Sequence, residues 1–185
     1  MQNAREFFVH ELADMYDAEH KVISELDEQI RESSRPDVQK AFTQHKAQTE
    51  RQVQRVEQCF SEIGQQPEAC ECAGIRGLVD EHEHFKQEQP SKDLLDLFNV
   101  DAAMKVEHYE IAAYESLTRL AQDLGYGKSY KLLSQNMKEE QQMLKKMEGL
   151  SKRVKPAQLG IEDTTIGARS QSHGVSTRTS TPRSR

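Results

Sequence analysis

Apolar side chains recur every three or four residues along four long stretches of the chain, a period typical of amphipathic α-helices. These stretches cover residues 4–31, 36–63, 92–124 and 126–150. Residues that commonly begin or end helices stand at their boundaries. They are Asn3, Pro36, Gly64, Ser91 and the Gly-Tyr-Gly run at 125–127. The pattern therefore predicts four long helices.

The lengths of the connections predict how these helices are arranged. Short turns join the first helix to the second and the third to the fourth, whereas the second and third are separated by residues 64–91, with a shorter helical pattern at 73–87. These lengths indicate an all-α fold, a ferritin-like antiparallel four-helix bundle with one long crossover that contains a short fifth helix. We expect residues 1–150 to form this domain. Residues 151–185 lack a period and are rich in Ser, Thr and Arg, so we expect a disordered basic tail.

Composition narrows the classes of function. The chain has a formal net charge of −6. Residues 151–185 are basic, so the remainder is more acidic still, and nucleic-acid binding is expected through the tail if at all. No apolar run approaches the ~18 residues that a membrane span requires. The N-terminus also lacks the apolar core of a signal peptide, so we expect a cytoplasmic protein without a membrane partner.

Several ionisable side chains lie within the apolar stripes and not on the outer faces of the helices. At 100° per residue, Glu19 points in the same direction as Leu12 and Ile23, and Glu140 in the same direction as Leu133 and Met147. The third helix turns two carboxylates inward, and the second helix turns a histidine and polar neighbours inward. These residues are Glu107, Glu110, His45, Gln48, Thr49 and Gln52. All lie near the middle of their helices, so an antiparallel bundle is expected to bring them into one layer. By the same geometry, His108, Glu115, Lys105 and Lys138 point outward.

Carboxylates gathered inside a bundle need a compensating partner. An isolated buried carboxylate costs several kcal/mol unless it is paired, protonated or bound to metal. The inner faces carry no Lys or Arg, so a divalent cation is the direct remedy, and oxygen-rich ligation with one histidine suits iron or manganese. The alternative is that these carboxyls are partly solvated, or that they share protons and bond to Tyr16, Tyr109, Tyr114 or Gln48.

The same stretches closely resemble the YciE/YciF family of bacterial ferritin-like proteins over about residues 5–150. The segments that carry the resemblance are FFVHELADMYDAEHKV, HKAQTERQVQRVE, GIRGLVDE and VEHYEIAAYESLTRLAQDLGYGKSYKLL. It implies a stress-associated cytoplasmic protein, often a homodimer, with a rubrerythrin-like di-metal centre. Position by position, the metal ligands that it implies are Glu19, Glu107, Glu110 and Glu140.

Two positions depart from the family pattern. Family members tend to have Glu where this chain has Gln48, and an acidic residue where it has Leu144. Gln is a weaker ligand and Leu is none, although His45 lies within one turn and could compensate. The site is therefore expected to hold two metal ions, one or none.

Two functions follow from these alternatives. One is an iron (or manganese) protein that oxidises Fe(II) or scavenges peroxide, with dioxygen or peroxide as co-substrate. The other is a non-catalytic helical stress or interaction protein whose metal site is degenerate.

Other polar and sulfur-containing side chains are given structural roles. In DEHEHF, at residues 80–85, His82 and His84 do not share a helix face, which favours a solvated charged surface over a metal site. The three cysteines are odd in number and lack a zinc or redox spacing, so reduced structural thiols are expected. The methionines of the fourth helix are interpreted as core residues.

Overall fold

The computed structural model describes residues 1–157, and this part of the chain contains five α-helices and no strand. The helices are α1 (Ala4–Glu32), α2 (Pro36–Glu62), α3 (Ala73–Gln87), α4 (Lys92–Asp123) and α5 (Gly127–Ser151). Their bounds agree with the sequence prediction to within a residue or two. None of the helices in residues 1–157 combines the length and apolar character needed to cross a bilayer.

The signals that begin and end the helices act much as the sequence predicts. Asn3 caps α1 by accepting a hydrogen bond from the backbone N–H of Glu6 at 2.9 Å. Pro36 is the first residue of α2. Gly125 adopts a φ of +76° between α4 and α5, a conformation that glycine reaches without a steric penalty. Ser91 precedes α4, but its hydroxyl donates to the Asp93 side chain and does not cap the helix.

The direction of each helix follows from polar contacts near its two ends. Glu32, the last residue of α1, accepts a hydrogen bond from Asn99 near the start of α4, at 2.8 Å. Asp14, near the start of α1, accepts one from Tyr109 farther along α4, at 3.2 Å. The two helices are therefore antiparallel neighbours.

The opposite pair of helices is arranged in the same way. Glu62, at the end of α2, accepts from the backbone of Ser129 near the start of α5 at 2.5 Å, and Lys146 donates to Gln44 at 2.6 Å. Consequently α2 and α4 run in the same direction, and the chain between them must return along the bundle. This is the ferritin-like four-helix bundle with one long crossover, and the predicted fold class is confirmed.

The crossover helix α3 packs over the groove between α1 and α4. Its Phe85 stacks on Phe98 of α4, with ring centroids 4.0 Å apart. At its N-terminal end, Cys72 donates its backbone N–H to Asp17 of α1 at 2.7 Å. The helix thus covers one side of the bundle over much of its length.

His82 anchors α3 to α1, so the expectation of a solvated surface was wrong for this residue, although His84 is exposed. Its side chain is 1% exposed, with Nδ1 2.5 Å from Glu25 Oε1 and Nε2 2.6 Å from Glu32 Oε1. Burial alone would lower the pKa of His82, but the two adjacent carboxylates of Glu25 and Glu32 raise it to about 9. At neutral pH the imidazolium therefore joins α3 to two carboxylates of α1 that lie about two turns apart.

Residues 151–157 belong to the segment for which a disordered tail is predicted, and the rest of that segment, 158–185, lies outside the described residues. Ser151 ends α5 and donates to Asp101 at 2.8 Å. Val154 is buried and belongs to the hydrophobic core. The bundle therefore includes a few residues beyond position 150.

Gly74 allows α3 to approach α4 closely. A Cβ atom at this position would lie 2.3 Å from the ring of Tyr109, whose hydroxyl is 3.1 Å from Cys72 Sγ. Gly74→Ala is expected to destabilise the protein by about 1–3 kcal/mol, since the ring must move. Gly77→Ala on the same helix meets no atom within 4 Å and should stabilise it by about 0.5–1 kcal/mol. Urea denaturation of both variants measures this, and equal effects would contradict the close contact.

Candidate metal centre

Four ligand-type side chains from three helices meet inside the bundle. They are His45 of α2, Glu107 and Glu110 of α4, and Glu140 of α5, and one ligand atom from each lies within 4.8 Å of the others. Each side chain is at most 1% exposed. Positions i and i+3 of a helix share a face, which is why α4 contributes two carboxylates.

The polar atoms of this cluster are largely without partners. With the carboxyls ionised, hydrogen bonds are missing at both oxygens of Glu107, both ring nitrogens of His45, Glu110 Oε1 and Glu140 Oε2. When one of the two carboxyls is protonated, Glu107 and Glu140 are close enough to hydrogen-bond each other. His45 Nε2 lies 3.0 Å from Glu107 Oε1, but the contact lacks hydrogen-bond geometry. Buried polar atoms are nearly always paired in folded proteins. So many oxygen and nitrogen atoms without a protein partner in one place fit a site for a cation.

Burial and mutual repulsion favour the neutral forms of these carboxyls. Burial first, and then the neighbouring carboxylates, raise the pKa values of Glu107 and Glu110 well above their ordinary range. Burial also raises the pKa of Glu140 to about 7.

Burial, followed by the charge of Lys146, lowers the pKa of His45 to about 3. A protonated Glu107 brings no charge that would offset this effect. His45 is therefore neutral near pH 7 and keeps a lone pair for a metal.

Glu19, the predicted ligand on α1, lies beside this group. It is fully buried, but it is not among the four residues whose ligand atoms lie within 4.8 Å of one another. Tyr114 of α4 donates a hydrogen bond to its Oε1, and its Oε2 has no partner. Burial and the charge of Glu140 raise the pKa of Glu19 well above its ordinary value. Glu19 thus offers one free oxygen at the edge of the cluster.

A polar network supports the cluster, and the sequence analysis identified Gln52 and Tyr114 of this network but not Asn136. Gln52 donates to Glu140 Oε1. Asn136, one turn before Glu140, donates to Tyr114 Oη at 2.9 Å and accepts from Arg55 at 2.8 Å. The i, i+4 spacing of Asn136 and Glu140 was the available signal, because it places both on one face of α5.

Arg55 is a cationic side chain that bonds directly to this network, although the inner faces were expected to carry none. It lies at the edge of the bundle and forms two bonds to Glu139, at 2.7 and 2.9 Å. Its charge lowers the pKa values of Glu19 and Glu140, but burial outweighs this effect for both. Since Arg55 is already paired with Glu139, it does not neutralise the cluster.

Gln48 and Leu144, the two departures from the family pattern, are only partly buried. Gln48 lines an open cleft of about 430 Å³ between α2 and α5, and its Nε2 has no hydrogen-bond partner. Neither side chain carries a carboxylate. At these two positions α2 and α5 therefore offer no anionic ligand.

The remaining predicted orientations hold. His108, Glu115, Lys105 and Lys138 are exposed on the surface. All three tyrosines proposed as alternative partners bond carboxylates, but only Tyr114 bonds one of the inward glutamates. Tyr16 donates to Glu57, and Tyr109 donates to Asp14. The three cysteines are free thiols. Met143 and Met147 lie in the core.

Comparison with known proteins identifies the family. The model of a family described as "Domain of unknown function (DUF892)" matches residues 3–159, so the chain belongs to that family. Protein YciF of Escherichia coli K12 is 34% identical over 141 residues, which are 76% of this chain and 85% of that protein. The resemblance to the YciE/YciF family is therefore confirmed.

Solved structures show the same architecture. The crystal structure of the E. coli stress protein YciF is 31% identical, with a TM-score of 0.78, over 83% of this chain and 97% of that one. YcfI of Rhodopseudomonas palustris is 33% identical, with a TM-score of 0.77, over 80% and 94% of the two chains. A protein of Xanthomonas campestris, 17% identical with a TM-score of 0.66, shares the fold.

Proposed function

We propose that this protein binds iron or manganese in the His45–Glu107–Glu110–Glu140 cluster and supports the oxidation of Fe(II) by dioxygen or peroxide. The observation that carries the proposal is the set of unpaired, buried ligand atoms, with one from each residue within 4.8 Å of the others. Carboxylate oxygens with one imidazole nitrogen are a donor set that suits these two metals.

Energetics supports a bound cation over a purely structural role. Without a cation, these carboxyls must keep their protons or repel one another in a medium of low polarity. Hydrophobic side chains of similar volume would stabilise the bundle as well or better. A bound cation neutralises the carboxylates and coordinates the oxygens that lack a hydrogen bond.

The residues have distinct roles in this proposal. His45 supplies a neutral nitrogen, while Gln52 holds Glu140 through one oxygen and leaves the other oxygen free. We infer one ion in the four-residue group. Glu19 Oε2 and Gln48 are the ligands left for a second ion, and the absence of carboxylates at positions 48 and 144 makes that position weaker.

The metal would supply one-electron transfer to dioxygen or peroxide, and the chain provides the surroundings. Side chains that are at most 1% exposed exclude bulk water from the cluster. Tyr114 and Asn136 fix the carboxylate of Glu19. In peroxide removal, two Fe(II) ions as substrate give two electrons, and two protons are taken up as the O–O bond breaks to form two waters.

The test is metal stoichiometry followed by turnover. Protein purified without chelators is expected to contain about one iron or manganese ion per chain by elemental analysis, as a single four-ligand group requires. Fe(II) added in excess should oxidise faster than in buffer with metal-free bovine albumin at equal concentration. No bound metal after reconstitution, together with a rate equal to that control, would overturn the proposal.

The second candidate is a non-catalytic stress or interaction protein with a degenerate site. Gln48 and Leu144, neither of which supplies a carboxylate, favour it. Occupancy without Fe(II) oxidation would support this function, and full occupancy by two ions would exclude it. The cytoplasmic homodimer expected from the family belongs to either proposal, and sedimentation equilibrium measures the oligomeric state.

A further inference from the structure

A cavity of about 20 Å³ lies between α1, α3 and α4 and reaches His45. Its walls are mainly aliphatic, with contributions from Leu26, Ile75, Leu78, Val79, Ala102 and Val106. A volume of ~10–15 Å³ is enough to hold one water-sized molecule. The cavity therefore has room for a small guest beside the metal cluster.

The polar groups that line this cavity are mostly engaged elsewhere. Gln29 donates to Glu25 at 3.2 Å, and Glu25 also contacts His82. Glu81 accepts from Lys105 at 2.6 Å. Both ring nitrogens of His45 lack a hydrogen-bond partner, and Nε2 lies 3.0 Å from Glu107, so Nδ1 is the free polar atom that His45 adds.

These contacts decide which guest the cavity favours. An ordered water needs two to four polar partners, whereas apolar cavities stay dry and bind apolar molecules such as xenon. The cavity offers too few free polar atoms for a stable water and ample aliphatic surface for dispersion contacts.

We propose that the aliphatic cavity under α3 binds one small apolar molecule, of the size and polarity of dioxygen, next to His45. This inference rests on the proposed function for the identity of the natural guest, but not for the binding itself. Peroxide is polar and needs hydrogen-bond partners, so it should not use this cavity.

The first experiment measures binding without turnover. Xenon is the probe, applied to the metal-free full chain in pressurised crystals and in solution by ¹²⁹Xe NMR. A xenon atom in contact with Val79 and Val106, with saturable binding in solution, is the expected result. A cavity without xenon at pressures that fill other protein cavities would overturn the proposal.

A matched pair of variants on α4 tests the location. Ala102 is buried and lines the cavity, so Ala102→Leu fills it, whereas Ala112→Leu adds the same atoms at an exposed position. Xenon affinity should fall at least about tenfold in the first variant and stay unchanged in the second. If Ala102→Leu does not fold, Val79→Ile adds one methylene from α3 and should weaken xenon binding about twofold to fivefold. Unchanged xenon affinity in the folded cavity variant would refute the assignment.

Kinetics then identifies the natural guest. With iron-loaded protein, Ala102→Leu should slow oxidation by dioxygen about fivefold or more and leave oxidation by peroxide within about twofold. Equal slowing with both oxidants would overturn the selective role for dioxygen. If xenon binds but Fe(II) is not oxidised by any form of the protein, the proposed function fails and the cavity site stands.

Discussion

Glu140→Gln is expected to change metal affinity and stability in opposite directions. Metal binding should weaken by about a hundredfold or more, because an anionic ligand becomes a neutral one. The metal-free protein should become more stable by roughly 2–3 kcal/mol at pH 7. Burial raises the pKa of Glu140 to about 7 in the folded protein, whereas the same carboxyl ionises freely in the unfolded chain. At pH 7 this difference in pKa favours the unfolded state. Glutamine has nearly the same shape and no such cost.

Glu148→Gln provides the control for this prediction. Glu148 is on the same helix and exposed, so the same loss of charge should leave both quantities nearly unchanged. Isothermal titration with Mn(II) measures affinity, and urea denaturation with chelator present measures stability. A Glu140→Gln protein that is less stable without metal and binds Mn(II) as tightly as the parent would show that Glu140 is a structural residue.

The helical period predicted which carboxylates face inward, because the direction of a side chain depends on the local geometry of its helix alone. Glu107, Glu110 and Glu140 face inward because each lies on the same helix face as apolar residues, and the connection lengths bring their helices together. The period gives the direction of a side chain but not its partner. Tyr114 was therefore predicted only as one of four possible partners, since its hydrogen bond to Glu19 depends on the exact height of α1 against α4.

His82 shows a second limit of sequence reasoning. Its neighbours along the chain are charged and mostly exposed, so the local pattern indicates a solvated helix face. It is buried because α3 crosses α1 where Glu25 and Glu32 lie, and the carboxylates of these two residues contact the two ring nitrogens. Arg55 and Asn136 were missed similarly, because their bonds join α2 to α5 across the bundle. Contacts that depend on how two helices are aligned leave little trace in either helix's own pattern.

Stability of the metal-free protein should fall as pH rises from about 5 to 7, and bound Mn(II) should reverse the trend. The unfolded chain releases its carboxyl protons near their ordinary pKa of 4.5, whereas folded Glu140 keeps its proton up to about pH 7. Glu19, Glu107 and Glu110 also have raised pKa values. The folded state therefore binds more protons than the unfolded state, so its stability decreases with rising pH.

Other groups with shifted pKa values act in different pH ranges or to a smaller extent. The pKa of His45 is lowered to about 3, so this residue alone would make stability rise between pH 3 and 6.5; one imidazole opposes four carboxyls. The paired carboxylates of Glu32 and Glu62 have lowered pKa values and act below pH 4.5. His82 has a raised pKa, so its contribution is full below pH 6.5 and is lost as pH rises through about 9. The loss of the His82 contribution does not depend on metal, so it cancels when the metal-free and Mn(II)-bound proteins are compared.

The measurement is urea denaturation at intervals from pH 5 to 7.5, with chelator and with saturating Mn(II). The metal-free curve should fall by at least about 1 kcal/mol per pH unit, the value for one extra proton held by the folded state. Metal requires deprotonated ligands, so the stabilisation by Mn(II) should grow with pH. In Glu140→Gln the metal-free slope should become shallower by about one proton, while Glu148→Gln keeps the parent slope. A metal-free curve that rises steadily through this range would mean that the buried carboxyls are ionised in the folded protein. The unpaired oxygens of the cluster would then have to be satisfied by something other than their own protons or a metal ion.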